Sequence, residues 1–274
     1  MTWQAMQRTV INGVLLEIRV SGAGEPVVFV HGAMGDECAA VVIEPALTDH
    51  YRVIHYHRRG WGDSEPLTAP LSIAQEAADC LAVMHHLGVE RAHLVGQSYG
   101  GAVVLQVALD APNAVQSLAL LEPGLPSILL NAPAFGAMMT KAATLYQTGD
   151  KAGAIEALGQ EVAGDDYRTI FDRTLPAGYF ERWVADADTI FLPGEPALQA
   201  WTFTQAEATR ITQPVLNMRG ENTRSYFREV YETVQQWLPS AENFVLPNAT
   251  HCMLQTNPRC AADRLADFFA RHPF

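Results

Sequence analysis

The stretch HLVGQSYGGAV, residues 93–103, decides how the rest of the chain is read. Its first half is an apolar, strand-like run, and its second half opens GGAVVLQVALD, which has helical patterning. Between them stand Gly96-Gln97-Ser98-Tyr99-Gly100, a G-x-S-x-G match. A strand that turns directly into a helix strains the central residue. Only small residues fit two positions to either side, which accounts for Gly96 and Gly100. The turn leaves the Ser98 hydroxyl at a helix N-terminus, where the macrodipole favours a developing negative charge. A glycine-rich βα turn without chemistry carries the same five letters, so the rest of the chain has to separate the two readings.

Upstream, VVFVHGAMGD, residues 27–36, is an apolar strand ending in His31-Gly32, followed by small residues that let backbone approach a ligand. A tetrahedral oxyanion needs two preorganised N–H donors. The N–H of Tyr99, just after Ser98, supplies one candidate, and that of Ala33 the other. His31 itself, at a strand end, reads as a packed residue bracing the loop.

Short β-rich runs open the chain: QRTVI, VLLEIRV and PVVFVHG, then YRVIHYH. Residues 72–87 follow with helical spacing, and Ser72 with Gln75 fits a capping box at the start. RAHLVGQ, the helix after Ser98 and SLALLE continue an alternation that predicts a mostly parallel twisted sheet with helices on both faces. The first two strands would form its antiparallel edge. From 124 to 208 no strand is expected, only helical runs such as AFGAMMTKAATLYQ and KAGAIEALGQEVA, interrupted at Pro176, Gly178, Pro193, Gly194 and Pro196. Alternation resumes with QPVLNMRG, YFREVYETVQQWL, ENFVLP and RCAADRLADFFA. The expected organisation is therefore a core domain of residues 1–123 and 209–274, with 124–208 a helical cap inserted over the sheet. An independent domain is the lesser alternative, since both flanks are strands of one sheet.

Composition narrows the function classes. Of 274 residues, 49% are hydrophobic and 18% charged, which suits a buried core, and the net charge of −12 argues against nucleic acid or an anionic membrane as partner. No apolar run reaches transmembrane length, and MTWQAMQRTVING lacks the basic start and apolar run of a secretory leader. Cys38, Cys80, Cys252 and Cys260 show no metal or disulfide spacing, so the expectation is a reduced, cytoplasmic protein without metal or organic cofactor. The sequon Asn248-Ala249-Thr250 reads as chance.

Ser98 needs a base. His55, His57, His85, His86 and His93 lie in or beside regular elements upstream, and His272 ends the chain. His251 lies in LPNATHCML, between the last strand and the last helix, at the sheet's C-terminal edge where open α/β folds bind ligands. It is the candidate base. One further residue stands out: in SLALLEPGLP, residues 117–126, the lone carboxylate Glu122 ends an apolar strand.

Together these residues resemble the α/β-hydrolase fold family over nearly the whole chain. HRRGWGDSEP, residues 57–66, is similar to that family's Arg-Gly-x-Gly-x-Ser turn after strand 4, read here as structural. The resemblance implies a Ser–acid–His triad, an oxyanion hole at Ala33 and Tyr99, and a cap shaping the pocket. The commoner family pattern places the acid after strand 7. This chain reads Arg219-Gly220-Glu221-Asn222-Thr223 there, with threonine where aspartate is expected. A minority of the family, including haloalkane dehalogenases and the zearalenone-type lactone hydrolases, takes the acid from the end of strand 6. Glu122 occupies that place and is the acid expected here, with Glu221 the substitute.

The implied reaction is hydrolysis of a carboxylic ester or lactone of a moderately bulky apolar small molecule through an acyl-enzyme on Ser98. A serine in place of aspartate argues against dehalogenase and epoxide hydrolase chemistry. Met34, Leu125, Ile128, Met138, Trp183 and Phe191 are candidate substrate contacts. Other readings stay open on the same residues: a C–C bond hydrolase, a cofactor-free perhydrolase, or a non-catalytic small-molecule receptor. Monomer and homodimer are equally compatible with the sequence.

Overall fold

Apolar residues in two alternating registers build the sheet. The computed structural model describes residues 6–67 and 70–274, so the start of the stretch read for a secretory leader lies outside the described residues. The strands are β1 (Gln7–Ile11), β2 (Val14–Ser21), β3 (Glu25–Val30), β4 (Tyr51–Tyr56), β5 (Ala92–Gln97), β6 (Val115–Leu121), β7 (Val215–Gly220) and β8 (Glu242–Leu246). They form one sheet in the order β1-β2-β4-β3-β5-β6-β7-β8. β1–β2 and β2–β4 pair antiparallel, and every other neighbour is parallel, as the sequence predicted.

Successive side chains leave a strand on opposite faces. Val28, Val30, Leu94, Leu118 and Leu120 therefore enter one core, and Val27, Phe29, Val95, Ala119 and Leu121 the other. The first core is covered by the helices Ile73–His86, Tyr99–Asp110 and Ser225–Trp237, the second by Pro258–Ala270. The capping box at Ser72 is half formed. Ser72 accepts the Gln75 N–H, but the Gln75 side chain turns forward to Asp79 at 3.4 Å instead of back to the cap. Asp79, also bonded by Asn12 and Arg59, is the stronger acceptor.

Between β6 and β7 the described chain holds helices and their connections and no strand, including Pro133–Gln147, Lys151–Ala163, Tyr167–Thr174 and Tyr179–Ala185. The expected breaks at proline and glycine are milder than the sequence suggested. Gly178, at φ 78°, starts the helix Tyr179–Ala185. Pro193 sits inside a π-helical turn, and Pro196 lies in the first turn of Glu195–Ala200. Apolar residues of this excursion, among them Leu129, Phe135, Ile155 and Trp183, belong to the same core cluster as β3 and β5.

Candidate active site

β5 delivers Ser98 as its alternation demands. At φ 51° and ψ −119° Ser98 adopts a backbone that non-glycine residues avoid, directly before the helix Tyr99–Asp110. A Cβ on Gly100 would come within 2.1 Å of the Val30 carbonyl oxygen, and one on Gly96 within 2.4 Å of the Gly100 carbonyl oxygen, so the helix can approach β3 and β5 only through glycine. Ser98 donates its N–H to Leu121 at 3.0 Å, and its carbonyl accepts from Gly124 at 2.7 Å. The turn after β5 is thus stitched to the end of β6.

The next residue along β6 is Glu122, also left-handed at φ 45° and fully buried. Its carboxyl Oε1 accepts the Gly220 N–H at 2.9 Å, and its Oε2 accepts the Thr223 hydroxyl at 2.9 Å. Oε2 also lies 2.5 Å from Nδ1 of His251. A buried carboxylate is tolerable when several donors converge on it, and here they come from β7, the loop after β7 and the loop after β8. With Nδ1–H donating to Glu122, the Nε2 of His251 is left to accept a proton. The ring stacks on Phe227, centroids 3.5 Å apart and 4° from parallel, and its carbonyl accepts the Gln97 side-chain amide at 3.0 Å. The substitute acid, Glu221, is exposed and accepts the Asn248 N–H at 2.9 Å.

The loop after β3 is braced as read. His31 is buried; its Nδ1 lies 2.9 Å from the Gly32 carbonyl, and its Nε2 accepts the Arg58 N–H at 3.0 Å. Burial, reinforced by the Arg58 charge, holds its pKa well below the ordinary histidine value, so it stays neutral. Arg58, from the turn read as structural, donates to the Gly32 carbonyl at 2.7 Å and pairs with buried Glu76. Its guanidinium lies 4.2 Å from the Tyr99 ring centroid. That turn therefore clamps both loops that carry the candidate oxyanion donors.

Ser98, His251, Ala33 and Tyr99 line one cavity of about 90 Å³, whose far wall comes from the helical excursion. Of the residues expected to contact substrate, Met34, Met138 and Trp183 line it. Leu125, Ile128 and Phe191 do not. Leu125 is fully buried in the core below, Ile128 packs half-buried against that core, and Phe191 stacks on Tyr146 with centroids 4.7 Å apart. Apolar character marks such residues for burial without saying which inner surface they meet. A larger groove of about 820 Å³, bordered by Leu67, Ile73, Leu192 and Trp201, includes none of the triad candidates in its lining.

Sequence reasoning missed four residues here. Thr223 supports the Glu122 carboxylate where its substitution for aspartate reads as a loss. Phe227 backs the imidazole. Glu37 and Glu195 put carboxyl groups in the cavity wall. For Glu37 a signal existed, since Asp36-Glu37 is an acidic pair within an otherwise small and apolar run.

Eight strands in this order, a serine at the strained β5 turn and a histidine after β8 define the class. Residues 25–258 match the model of the alpha/beta hydrolase fold, and the chain belongs to that family. A soluble epoxide hydrolase of Corynebacterium sp. strain C12 is 25% identical over 281 residues, covering 96% of each chain. The dihydrolipoyllysine-residue acetyltransferase component of the acetoin cleaving system of Cupriavidus necator is 38% identical over 120 residues, 43% of this chain and 32% of that protein. This chain thus matches about a third of that relative's length. Among solved structures, the enol-lactonase from Burkholderia xenovorans LB400 superposes with a TM-score of 0.80 at 22% identity, covering 96% of this chain and 99% of that one, which is a likeness of fold.

Proposed function

We propose that the chain is a serine hydrolase of carboxylic esters or lactones, with Ser98 as nucleophile, His251 as base and Glu122 as the acid that orients it. The observation that carries this reading is the 2.5 Å contact between Glu122 Oε2 and His251 Nδ1, in a cavity that Ser98 also lines. Ser98 Oγ attacks the carbonyl carbon while His251 Nε2 takes its proton. The oxyanion is held by the N–H groups of Ala33 and Tyr99, and the N-terminus of the helix Tyr99–Asp110 adds its dipole. Collapse expels the alkoxide, which takes the proton from the imidazolium. Water then enters, gives its proton to His251, and attacks the acyl-enzyme to release the acid and restore Ser98. Glu122 accepts from Nδ1–H and orients the imidazole through both halves.

Residues 124–208 act as a cap in this reading, since they supply most of the apolar wall over Ser98. A volume of about 90 Å³ is well below that of usual ligand sites. The cavity as it stands therefore holds a small acyl group, and a bulky substrate requires the cap to move. Relatives named as lactonase and epoxide hydrolase fit a small electrophile. The hydroxyl nucleophile favours the acyl reaction, because an epoxide opened by serine would leave an ether that water cannot cleave. A C–C bond hydrolase working on a carboxylate substrate is disfavoured, since no lysine or arginine is among the described residues lining the cavity.

The test is labelling with a fluorophosphonate, read by mass spectrometry, alongside hydrolysis of p-nitrophenyl acetate and δ-valerolactone. A single adduct on Ser98, and turnover that disappears in Ser98→Ala, support the reading. An unlabelled Ser98 with no turnover would point to a receptor on a hydrolase scaffold.

A further inference from the structure

The cavity above Ser98 is largely apolar, and two of the unpartnered polar atoms on the residues that line it are pure acceptors. Glu37 and Gln97 both line it. Glu37 is 6% exposed; its Oε1 accepts the Met34 N–H at 2.5 Å, while its Oε2 is buried, accepts no hydrogen bond and lies 3.8 Å from His31 Nδ1. Gln97 spends its amide on the His251 carbonyl, and its Oε1 is likewise buried and unpartnered. Glu195 is the second carboxyl-bearing residue of the wall, and its Oε1 accepts from the Gln199 amide at 3.0 Å. Trp183 Nε1 and the Tyr99 hydroxyl are the other unpartnered polar atoms on lining residues.

A buried acceptor without a donor costs about 1–3 kcal/mol, more when charged, so such atoms persist where a ligand or water completes them. The placement is close to the reacting centre. A Cβ on Gly32 would lie 2.8 Å from Glu37 Oε1 and 3.3 Å from Ser98 Cβ, so the carboxyl and the nucleophile flank the same glycine. That glycine precedes Ala33, the candidate oxyanion donor.

We infer that Glu37 Oε2 and Gln97 Oε1 form an acceptor subsite for a hydrogen-bond donor, a hydroxyl or an ammonium, carried by the substrate beside its scissile carbonyl. The inference rests on the proposed ester or lactone hydrolysis and narrows its substrate to hydroxy- or amino-substituted acyl compounds. A substrate without the donor leaves both buried acceptors unpaired, and a site built to hydrogen-bond a substrate group discriminates against analogues that lack it. Once ionised, Glu37 repels a substrate carboxylate beside it. Burial lifts the Glu37 carboxyl to about 7, against the Met34 N–H and the Arg58 charge that lower it, so near neutral pH it can meet a hydroxyl or an ammonium.

The experiment compares kcat/KM for p-nitrophenyl propionate, 3-hydroxypropionate and 3-aminopropionate in the wild type, Glu37→Gln and Glu37→Met. The expected wild-type result is a preference of at least about 10-fold for one donor-bearing ester over propionate, the scale of one hydrogen bond to a charged group. In the variants that ratio falls toward one. Any loss of order in the loop held by Glu37 slows all three esters together and cancels in the ratio. A wild-type ratio near one, or a ratio unmoved in Glu37→Met, overturns the inference and leaves the hydrolase reading standing. Calorimetric Kd values of the same esters for Ser98→Ala decide the question without turnover. Equal affinities refute the subsite, and a preference in binding supports it even where Ser98 proves unreactive to phosphonate.

Discussion

Glu122 Oε2 sits 2.5 Å from Nδ1 of His251, although 129 residues separate the two. The contact depends on the backbone of Glu122 as much as on its side chain. Its left-handed φ of 45° follows a strand that runs straight to Leu121, so the chain turns sharply where the acid is presented. Non-glycine residues hold that conformation at a cost of roughly 1–2 kcal/mol. Strain at both Ser98 and Glu122, on neighbouring strands, marks this sheet edge as built for more than packing.

Thr223 is the residue whose role is easiest to misjudge. Its hydroxyl donates to the same oxygen that meets His251. Thr223→Val keeps the shape and removes that donor, and should lower stability by about 1–3 kcal/mol and kcat/KM about 10-fold. Thr223→Asp should be worse, since two buried carboxylates cannot both ionise at this distance. In a Glu122→Ala background the same aspartate should restore part of the activity that Glu122→Ala loses. Steady-state kinetics and chemical denaturation of the four proteins check this; a double variant no better than Glu122→Ala contradicts it.

Acyl chain length should follow the cavity. Acetyl and propionyl esters are expected to exceed octanoyl in kcat/KM, and Met139→Ala, on the half-buried edge of the wall, should shift the optimum by a few carbons. A p-nitrophenyl ester series measures the profile. An octanoate optimum in the wild type would show that the cap stands open in solution.

Away from the cavity, His57 is buried beside Glu17 at 2.8 Å and Asp36 at 3.7 Å. Burial alone lowers its pKa, but the two carboxylates outweigh burial and raise it to about 9. A histidine whose folded pKa exceeds its unfolded value stabilises fully below about 6.5 and loses that contribution as pH rises toward 9. Melting temperature should therefore decline across pH 6.5–9, and the decline should flatten in His57→Gln whatever that variant's absolute stability. An equal slope in the variant would assign the decline elsewhere.

The strands were legible because each carries β-branched or leucine residues between turn signals, and Ser98 because its glycines report a backbone constraint. His251 could be placed by its position after the last strand. Thr223 was not legible, since its partner is set by the register of β6 on β7 and by the turn at Glu122. Leu125, Ile128 and Phe191 lie outside the cavity lining for a related reason: an apolar residue buries itself somewhere, and only the packing of the helices over the sheet settles which residues face Ser98.

The most direct measurement is kcat/KM on p-nitrophenyl acetate for Glu122→Gln beside Glu221→Gln, with Ser98→Ala as the blank. Removing the charge that holds the imidazole should cost about 10³–10⁴-fold in Glu122→Gln, while Glu221→Gln, altered at an exposed site, should stay within about 3-fold of the wild type. Near-wild-type turnover in Glu122→Gln, or a loss confined to Glu221→Gln, would show that the acid at the end of β6 does not serve His251.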